Sequence, residues 1–237
     1  MANIMINEIC NLRCPYCFAD EYVNKQFKEI TLEDFDTAID FALSSGHDER
    51  IGIIGGGPTL HSHFKTIMSR LIDDERIRNV TLFTNGTNIE GFTDELCHPK
   101  IHLLINCNSP ANMGKNAFAK MLGNIEFLVK NKHMKDRITL GINMYKPDFD
   151  YDYIIDLLNR FGFKKVRTSV SVPNEQYFLS NPIDYFKLIT CLIKDCRILL
   201  KNNGENSDNE VFNHKFTLGH NFDRATYQRS LSVSQSG

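Results

Sequence analysis

Residues 4–17 read Ile-Met-Ile-Asn-Glu-Ile-Cys-Asn-Leu-Arg-Cys-Pro-Tyr-Cys, and they join a short apolar run to a cluster of three cysteines. The apolar run, Ile4 to Ile6, predicts the first strand of the fold. Cys10, Cys14 and Cys17 follow it in a C-x3-C-x2-C arrangement. Thiolates bind soft metals and iron–sulfur clusters, so this pattern predicts a strand that ends in a loop wrapped around a metal centre.

The residues leave more than one kind of centre open. A structural zinc site needs a fourth ligand, and the histidines that follow, His47, His61 and His63, lie far along the chain. A 4Fe–4S cluster held by three cysteines has one iron that is free to bind substrate. Three incidental thiols are the remaining interpretation. We favour the iron–sulfur cluster.

Outward from this loop, the chain alternates between strand and helix patterns. The predicted strands are Ile4–Ile6, Ile51–Ile54, Val80–Phe83, His102–Ile105, Ile138–Met144 and Val166–Val170. The predicted helices include the segments Thr31–Ala42, Phe64–Leu71, Gly91–Leu96, Phe118–Val129, Tyr153–Phe161 and Asn181–Leu200. This alternation predicts a parallel sheet covered by helices, either an open partial barrel or a doubly wound sheet. We expect a partial (β/α)6 TIM-like barrel with the site at the carboxyl ends of its strands.

Composition excludes several classes of protein. The 237 residues are 42% hydrophobic and carry a formal charge of -2, which excludes general disorder and gives no indication of nucleic-acid binding. No apolar run is long enough for a membrane span, and we expect a cytoplasmic protein without a secretory signal. We expect a core over residues 1–202 and a polar tail over residues 203–237. The tail is expected to be loosely ordered or the remnant of a missing domain.

Seven cysteines, an odd number, make a disulfide framework unlikely in a reducing compartment. Three of those outside the loop, Cys97, Cys191 and Cys196, lie in helical sequence, where buried free cysteine is common.

The cysteine motif, with an aromatic residue just before its last cysteine and a strand before its first, resembles the radical S-adenosylmethionine (radical SAM) superfamily over residues 1 to about 200. The resemblance implies that Cys10, Cys14 and Cys17 hold one 4Fe–4S cluster, whose open iron binds the amino and carboxylate groups of SAM. It also implies that an electron cleaves SAM to a 5′-deoxyadenosyl radical, which takes a hydrogen atom from substrate. Tyr16 matches the bulky residue beside the adenine.

A second motif, Gly55-Gly56-Gly57-Pro58, matches the Gly-Gly-Glu-Pro turn that contacts the SAM ammonium in this superfamily. Glycine lets the backbone approach a ligand closely. Gly57 departs from the pattern, because glutamate is expected there and its carboxylate would bind the ammonium. The loss of such a charged partner costs about 1.5–3 kcal/mol of binding energy.

Weaker candidates for SAM contacts follow the later strands. Asn85 lies in a Thr-Asn-Gly turn, and Asn106, Asn108 and Ser109 match the polar position that binds ribose. Asn143 and the segment Ser169–Ser171 are looser candidates, and His61 lies beside the glycine turn.

The resemblance is closest to members that modify peptides or proteins, which implies a peptide substrate and a reductant such as flavodoxin or ferredoxin. We expect no nucleic-acid or membrane partner. Two other interpretations stay open: a cluster-binding relative that is non-catalytic or truncated, with Gly57 as its sign, and a zinc-binding interaction module.

Overall fold

The computed structural model of the chain describes residues 2–17, 19, 22–44, 49–144, 150–163 and 166–170. The predicted last helix, the polar tail over residues 203–237, Cys191 and Cys196 lie outside these ranges. Within them, no helix has both the length and the apolar character that a membrane span requires.

Six strands form one sheet, and each lies within two residues of its predicted position. They are β1 (Ala2–Met5), β2 (Arg50–Ile54), β3 (Asn79–Thr84), β4 (Ile101–Asn106), β5 (Ile138–Met144) and β6 (Val166–Val170). All neighbouring pairs are parallel, and the strand order follows the chain from β1 to β6. A doubly wound sheet reverses its strand order at a switch point, so this order confirms the predicted partial barrel.

Helices connect the strands. They are α1 (Leu32–Ser44), α2 (Phe64–Asp73), α3 (Thr93–Leu96), α4 (Pro110–Met113), α5 (Lys115–Lys132) and α6 (Asp152–Phe161). The short helix α4 was not predicted. Pro110 occupies its first turn, where the missing N–H has no helical partner to lose.

The two faces of the sheet have different surroundings, and β3 shows the contrast within one strand. Val80, Leu82 and Thr84 are buried, while the alternate residues are half-buried. Val80 and Leu82 belong to a single apolar cluster that includes side chains of α1, α2, α5 and α6. We call this side the helix-covered face and the other side the inner face.

Side chains from distant strands meet on the inner face. The Arg167 guanidinium in β6 lies 5.4 Å from the centre of the Phe83 ring in β3. These strands are three positions apart, which corresponds to about 14 Å across a flat sheet. Two long side chains are therefore needed to make this contact between β3 and β6.

Strand β1 begins and ends earlier than predicted, because Ile6 changes partners. Its N–H still donates to the Ile54 carbonyl (2.9 Å), but its carbonyl accepts from Ile30 N–H (2.9 Å). Asn7 then pairs antiparallel with Glu29. The returning segment before α1 therefore pairs with this chain end in addition to the residues at the end of β2.

Thr31 should stabilise the start of α1. Its Oγ1 accepts the Asp34 N–H (3.0 Å) and donates to the Asp34 carboxylate (2.9 Å). We predict that Thr31→Ala lowers the free energy of unfolding by about 1 kcal/mol. Thr37→Ala is the control, since that exposed hydroxyl contacts only the Glu33 carbonyl within the helix. Denaturant unfolding measures both, and equal effects of the two changes would contradict the capping role.

Candidate functional site

The cysteine loop is held at its start by Asn24. The Asn24 side chain accepts from the Cys10 N–H (2.9 Å) and donates to the Cys10 carbonyl (3.0 Å). Asn24 itself has a φ of 59°, a conformation that asparagine tolerates better than most residues. Sequence reasoning missed this residue, because a single asparagine 14 positions from Cys10 belongs to no motif.

The three cysteines lie close enough to act on one another. Burial, followed by the charges of Cys10 and Cys17, raises the pKa of Cys14 to about 11. Burial also raises the pKa of Cys10, and Cys17 adds to that effect. All three are free thiols. As thiolates the three cysteines would repel one another, and a cationic centre bound by all three would remove this repulsion.

The sulfurs are not gathered around the position of a single ion. Among the described residues, no three His, Cys, Asp or Glu side chains are arranged to hold one metal ion. Sulfurs that share one zinc lie about 3.8 Å apart, given Zn–S bonds of about 2.3 Å.

The glycine turn is bound to the cysteine loop through the backbone. Gly56 N–H donates to the Asn7 carbonyl (3.0 Å), and Gly57 N–H donates to the Ile9 carbonyl (2.6 Å). The Asn7 side chain in turn donates to the Gly57 carbonyl (3.0 Å). These contacts place the turn after β2 directly against the residues that lead into Cys10.

This contact requires glycine. A Cβ at Gly55 would overlap Asn7 Oδ1, and a Cβ at Gly56 would lie 2.5 Å from the Ile9 carbonyl oxygen and 3.0 Å from Cys10 Cβ. Side chains at these positions would push the two loops apart. The glycines therefore have a structural role here, whether or not a ligand also contacts them.

Gly57 is different, because its conformation does not demand glycine. Its φ is -143°, in the extended region that any residue adopts. A Cβ there would lie 3.2 Å from Leu60 Cδ1, which is closer than an ordinary contact but involves the end of a flexible side chain, and 3.6 Å from the Ile9 carbonyl oxygen. The backbone therefore does not explain why glutamate is absent. Pro58, next in the chain, begins a 3-10 turn that ends at Leu60 and is buried.

Asn85 ties the turn after β3 to the cysteine loop. Asn85 Nδ2 donates to Asn11 Oδ1 (2.9 Å), Asn11 Nδ2 donates to Thr87 Oγ1 (2.8 Å), and Thr87 Oγ1 donates to Asn85 Oδ1 (2.7 Å). This closed ring uses both polar groups of the Asn85 side chain. In this structure Asn85 positions the cysteine loop, a role that the sequence did not suggest.

Asn108 contacts the cysteine loop from the far side. It is 4% exposed, and its Nδ2 lies 3.2 Å from the Cys14 sulfur. Tyr16 is 6% exposed, and its hydroxyl also acts on Cys14, because it lowers the pKa of that thiol. Both residues were predicted to contact SAM, and the structure places both beside a cysteine.

The other predicted polar residues are spread along the ends of β4 and β5. Asn106 is the last residue of β4, and Ser109 precedes α4 without capping it through its side chain. Asn143 lies in β5, in register with Ser169 of β6. Ser171 lies outside the described residues.

His61 is occupied on both ring nitrogens. It is 3% exposed, its Nε2 lies 3.0 Å from the Ile30 carbonyl, and its Nδ1 accepts the His63 N–H at 2.9 Å. Nε2 therefore carries the proton and donates to Ile30. His61 anchors the glycine turn to the segment before α1 and faces no ligand site.

The site thus unites three loops at the carboxyl ends of β1, β2 and β3, with Asn108 reaching in from beyond β4. The three thiols are close enough to affect one another's pKa. The glycine turn lies so close to the cysteine loop that no Cβ fits between them, and the buried Asn108 amide donates to a cysteine sulfur. These features suit a thiolate-bound cluster with a small ligand beside it. Cys10, Cys14 and Cys17 would hold such a cluster.

Comparisons with known proteins agree with this arrangement. The model of the radical SAM superfamily matches residues 4–151. Among solved structures, SuiB of Streptococcus suis bound to S-adenosylmethionine aligns with a TM-score of 0.59 at 16% identity, over 91% of this chain and 49% of that one. A second structure of Streptococcus suis SuiB aligns with a TM-score of 0.61 at 16% identity, over 91% and 48%. The chain spans about half the length of these proteins.

The contact between the two loops generates a prediction. Gly56→Ala should displace the cysteine loop, because its Cβ would collide with backbone atoms that have no freedom to move alone. The cysteines should then react faster with a thiol reagent such as Ellman's reagent in the metal-free protein. Gly91→Ala is the control, since no atom lies within 4 Å of its added Cβ. Equal labelling rates in the two variants would show that the loop does not depend on this contact.

Proposed function

Because the chain belongs to the radical SAM superfamily, we propose that it is a radical SAM enzyme that binds one 4Fe–4S cluster through Cys10, Cys14 and Cys17. When bound, the cluster supplies one electron that breaks the C5′–S bond of SAM, which gives methionine and a 5′-deoxyadenosyl radical that takes a hydrogen atom from substrate. The electron comes from a reductant such as flavodoxin or ferredoxin. The substrate class we propose is a peptide or protein.

The observation that carries this proposal is the docking of the glycine turn on the cysteine loop. The Gly56 and Gly57 N–H groups donate to the cysteine-loop backbone, and the Gly57 carbonyl accepts from the Asn7 side chain and the Leu60 N–H. A ligand ammonium at this turn would therefore bind the carbonyl edge that precedes the Gly57 carbonyl. A ligand that binds this edge lies beside the three thiols. The family match supports a cluster rather than zinc at these cysteines.

The chain's own residues prepare the site before any ligand binds. Asn24 and Asn11 fix the loop at Cys10 and one residue later. Asn108 donates to the Cys14 sulfur, and donors to cluster sulfurs stabilise the reduced, more negative state of such centres. Tyr16 is buried, and its hydroxyl acts on the half-buried Cys14.

A second candidate function, cluster binding without SAM cleavage, is favoured by one residue, Gly57. The position lacks the carboxylate that the superfamily pattern provides for the SAM ammonium. The release of 5′-deoxyadenosine separates the two candidates, because only the enzyme produces it.

The cysteines give the first test. Alanine at Cys10, Cys14 or Cys17 should abolish iron uptake on anaerobic reconstitution and the release of 5′-deoxyadenosine from SAM under a strong reductant. Cys97→Ala is the control, because that sulfur lies beside Met134 and outside the loop. The three-cysteine site is wrong if Cys97, Cys107, Cys191 or Cys196 proves equally necessary for the cluster. A loaded protein that never releases 5′-deoxyadenosine supports the second candidate.

Gly57 gives the second test. Gly57→Glu should tighten SAM binding by about tenfold or more, because a charge-assisted bond to the ammonium contributes about 1.5–3 kcal/mol. The extended backbone and the flexible Leu60 leave room for the new side chain. Gly57→Gln, which has the same size without the charge, should tighten binding less. Calorimetry on the reconstituted protein measures both, and unchanged or weaker binding of the glutamate variant would mean that position 57 does not face the ammonium.

A further inference from the structure

The strands of the sheet contain positive charge and no negative charge. None of the six includes an Asp, Glu or Lys, and their arginines are Arg50 and Arg167. Arg50 is the exposed first residue of β2, at the end of the sheet opposite the cysteine loop. Among the residues of the six strands, Arg167 in β6 is therefore the arginine that lies near the site.

Arg167 is half-buried, and its guanidinium stacks over the Phe83 ring. Burial lowers the pKa of Arg167 from its ordinary value, and no described carboxylate opposes that effect. A guanidinium has five N–H donors that lie in one plane. The face of an aromatic ring stabilises the positive charge, but the ring accepts no hydrogen bond from the N–H groups in that plane. The donors are therefore available to a ligand as far as the described residues determine.

A polar side chain of β4 lies on the same face as Arg167, with only a glycine in the strand between them. That glycine is Gly141 of β5, which is in register with Arg167 and with Asn106 of β4. A Cβ at Gly141 would lie 2.8 Å from Leu104 Cδ2 and 2.9 Å from Asn106 Oδ1, so these two side chains lean over the glycine towards β6. The Asn106 amide therefore adds a polar group to the part of the inner face that carries the guanidinium.

We propose that Arg167 binds an anionic group, a carboxylate or phosphate, of the substrate on this inner face. The planar fork matches both groups with two parallel hydrogen bonds. Phe83 belongs to β3 and precedes the turn whose Asn85 ties down the cysteine loop. The guanidinium over that ring therefore lies on the sheet side of the cysteine loop, where a substrate can face a radical formed at the loop. This assignment to substrate rests on the proposed function.

The first test uses inorganic phosphate as the probe and the full-length metal-free protein. Phosphate stabilises proteins in general because it is excluded from their surface, so the measurement is the difference between variants. The thermal midpoint of unfolding is measured in phosphate and in chloride of equal ionic strength. The increase from chloride to phosphate should be smaller for Arg167→Gln than for the wild type. Arg160→Gln is the matched control, since Arg160 also stacks on an aromatic ring but is exposed on α6 and paired with Glu126.

Arg167→Lys shows whether a folding defect explains the result for Arg167→Gln. Lysine keeps the positive charge but lacks the planar guanidinium that makes two parallel hydrogen bonds. It should retain part of the phosphate effect that Arg167→Gln loses. An equal rise in the wild type and Arg167→Gln would overturn the anion site. Because no cluster or SAM is present, this outcome does not depend on whether the proposed enzyme activity is correct.

The second test identifies the source of the anion. On the reconstituted protein, Arg167→Gln should bind SAM within about twofold of the wild-type affinity, as calorimetry measures it. A loss of about tenfold or more would assign the guanidinium to the SAM carboxylate and overturn the assignment to substrate. A protein that binds phosphate through Arg167 but releases no 5′-deoxyadenosine would keep the anion site and refute the proposed function alone.

Discussion

The backbone contact between the glycine turn and the cysteine loop is the constraint on which the site depends. Two N–H groups of the turn donate to carbonyls of the chain that leads into Cys10, and no Cβ fits between the two at Gly55 or Gly56. Strands β1 and β2 are neighbours in register, so the contact continues their pairing beyond the end of the sheet. The thiols and the turn thus face one space, and the Asn7 side chain adds one bond to the Gly57 carbonyl.

The remaining loops are attached to this pair through amides. Asn24 clamps Cys10, the Asn11–Thr87–Asn85 ring ties in the turn after β3, and Asn108 reaches Cys14 from beyond β4. Amides suit this purpose because each supplies a donor and an acceptor and carries no charge beside a thiolate centre. Arg167, the residue that we propose binds an anion, lies apart from these amides, on β6. The proposed anion site and the proposed cluster site would therefore use different parts of the sheet.

The sequence predicted the fold well because alternating strands and helices leave strong periodic patterns. It predicted all six described strands, and errors occurred at ends such as Ile6, where the segment at Ile30 becomes a second partner of the chain. The cysteines and glycines were recognisable as motifs. The roles of Asn24 and Asn85 were not, because they depend on contacts between residues far apart in the chain. Arg167 was missed for the same reason, because its contact with Phe83 joins β6 to β3.

The central claim is that one space at the carboxyl ends of the strands holds both the cluster and SAM. Electron paramagnetic resonance of the reduced, reconstituted protein tests it most directly, because a ligand on the open iron changes the signal of the cluster. The account predicts that saturating SAM alters the g values of the wild-type signal. A protein that carries its full cluster but shows the same spectrum with and without SAM would contradict it.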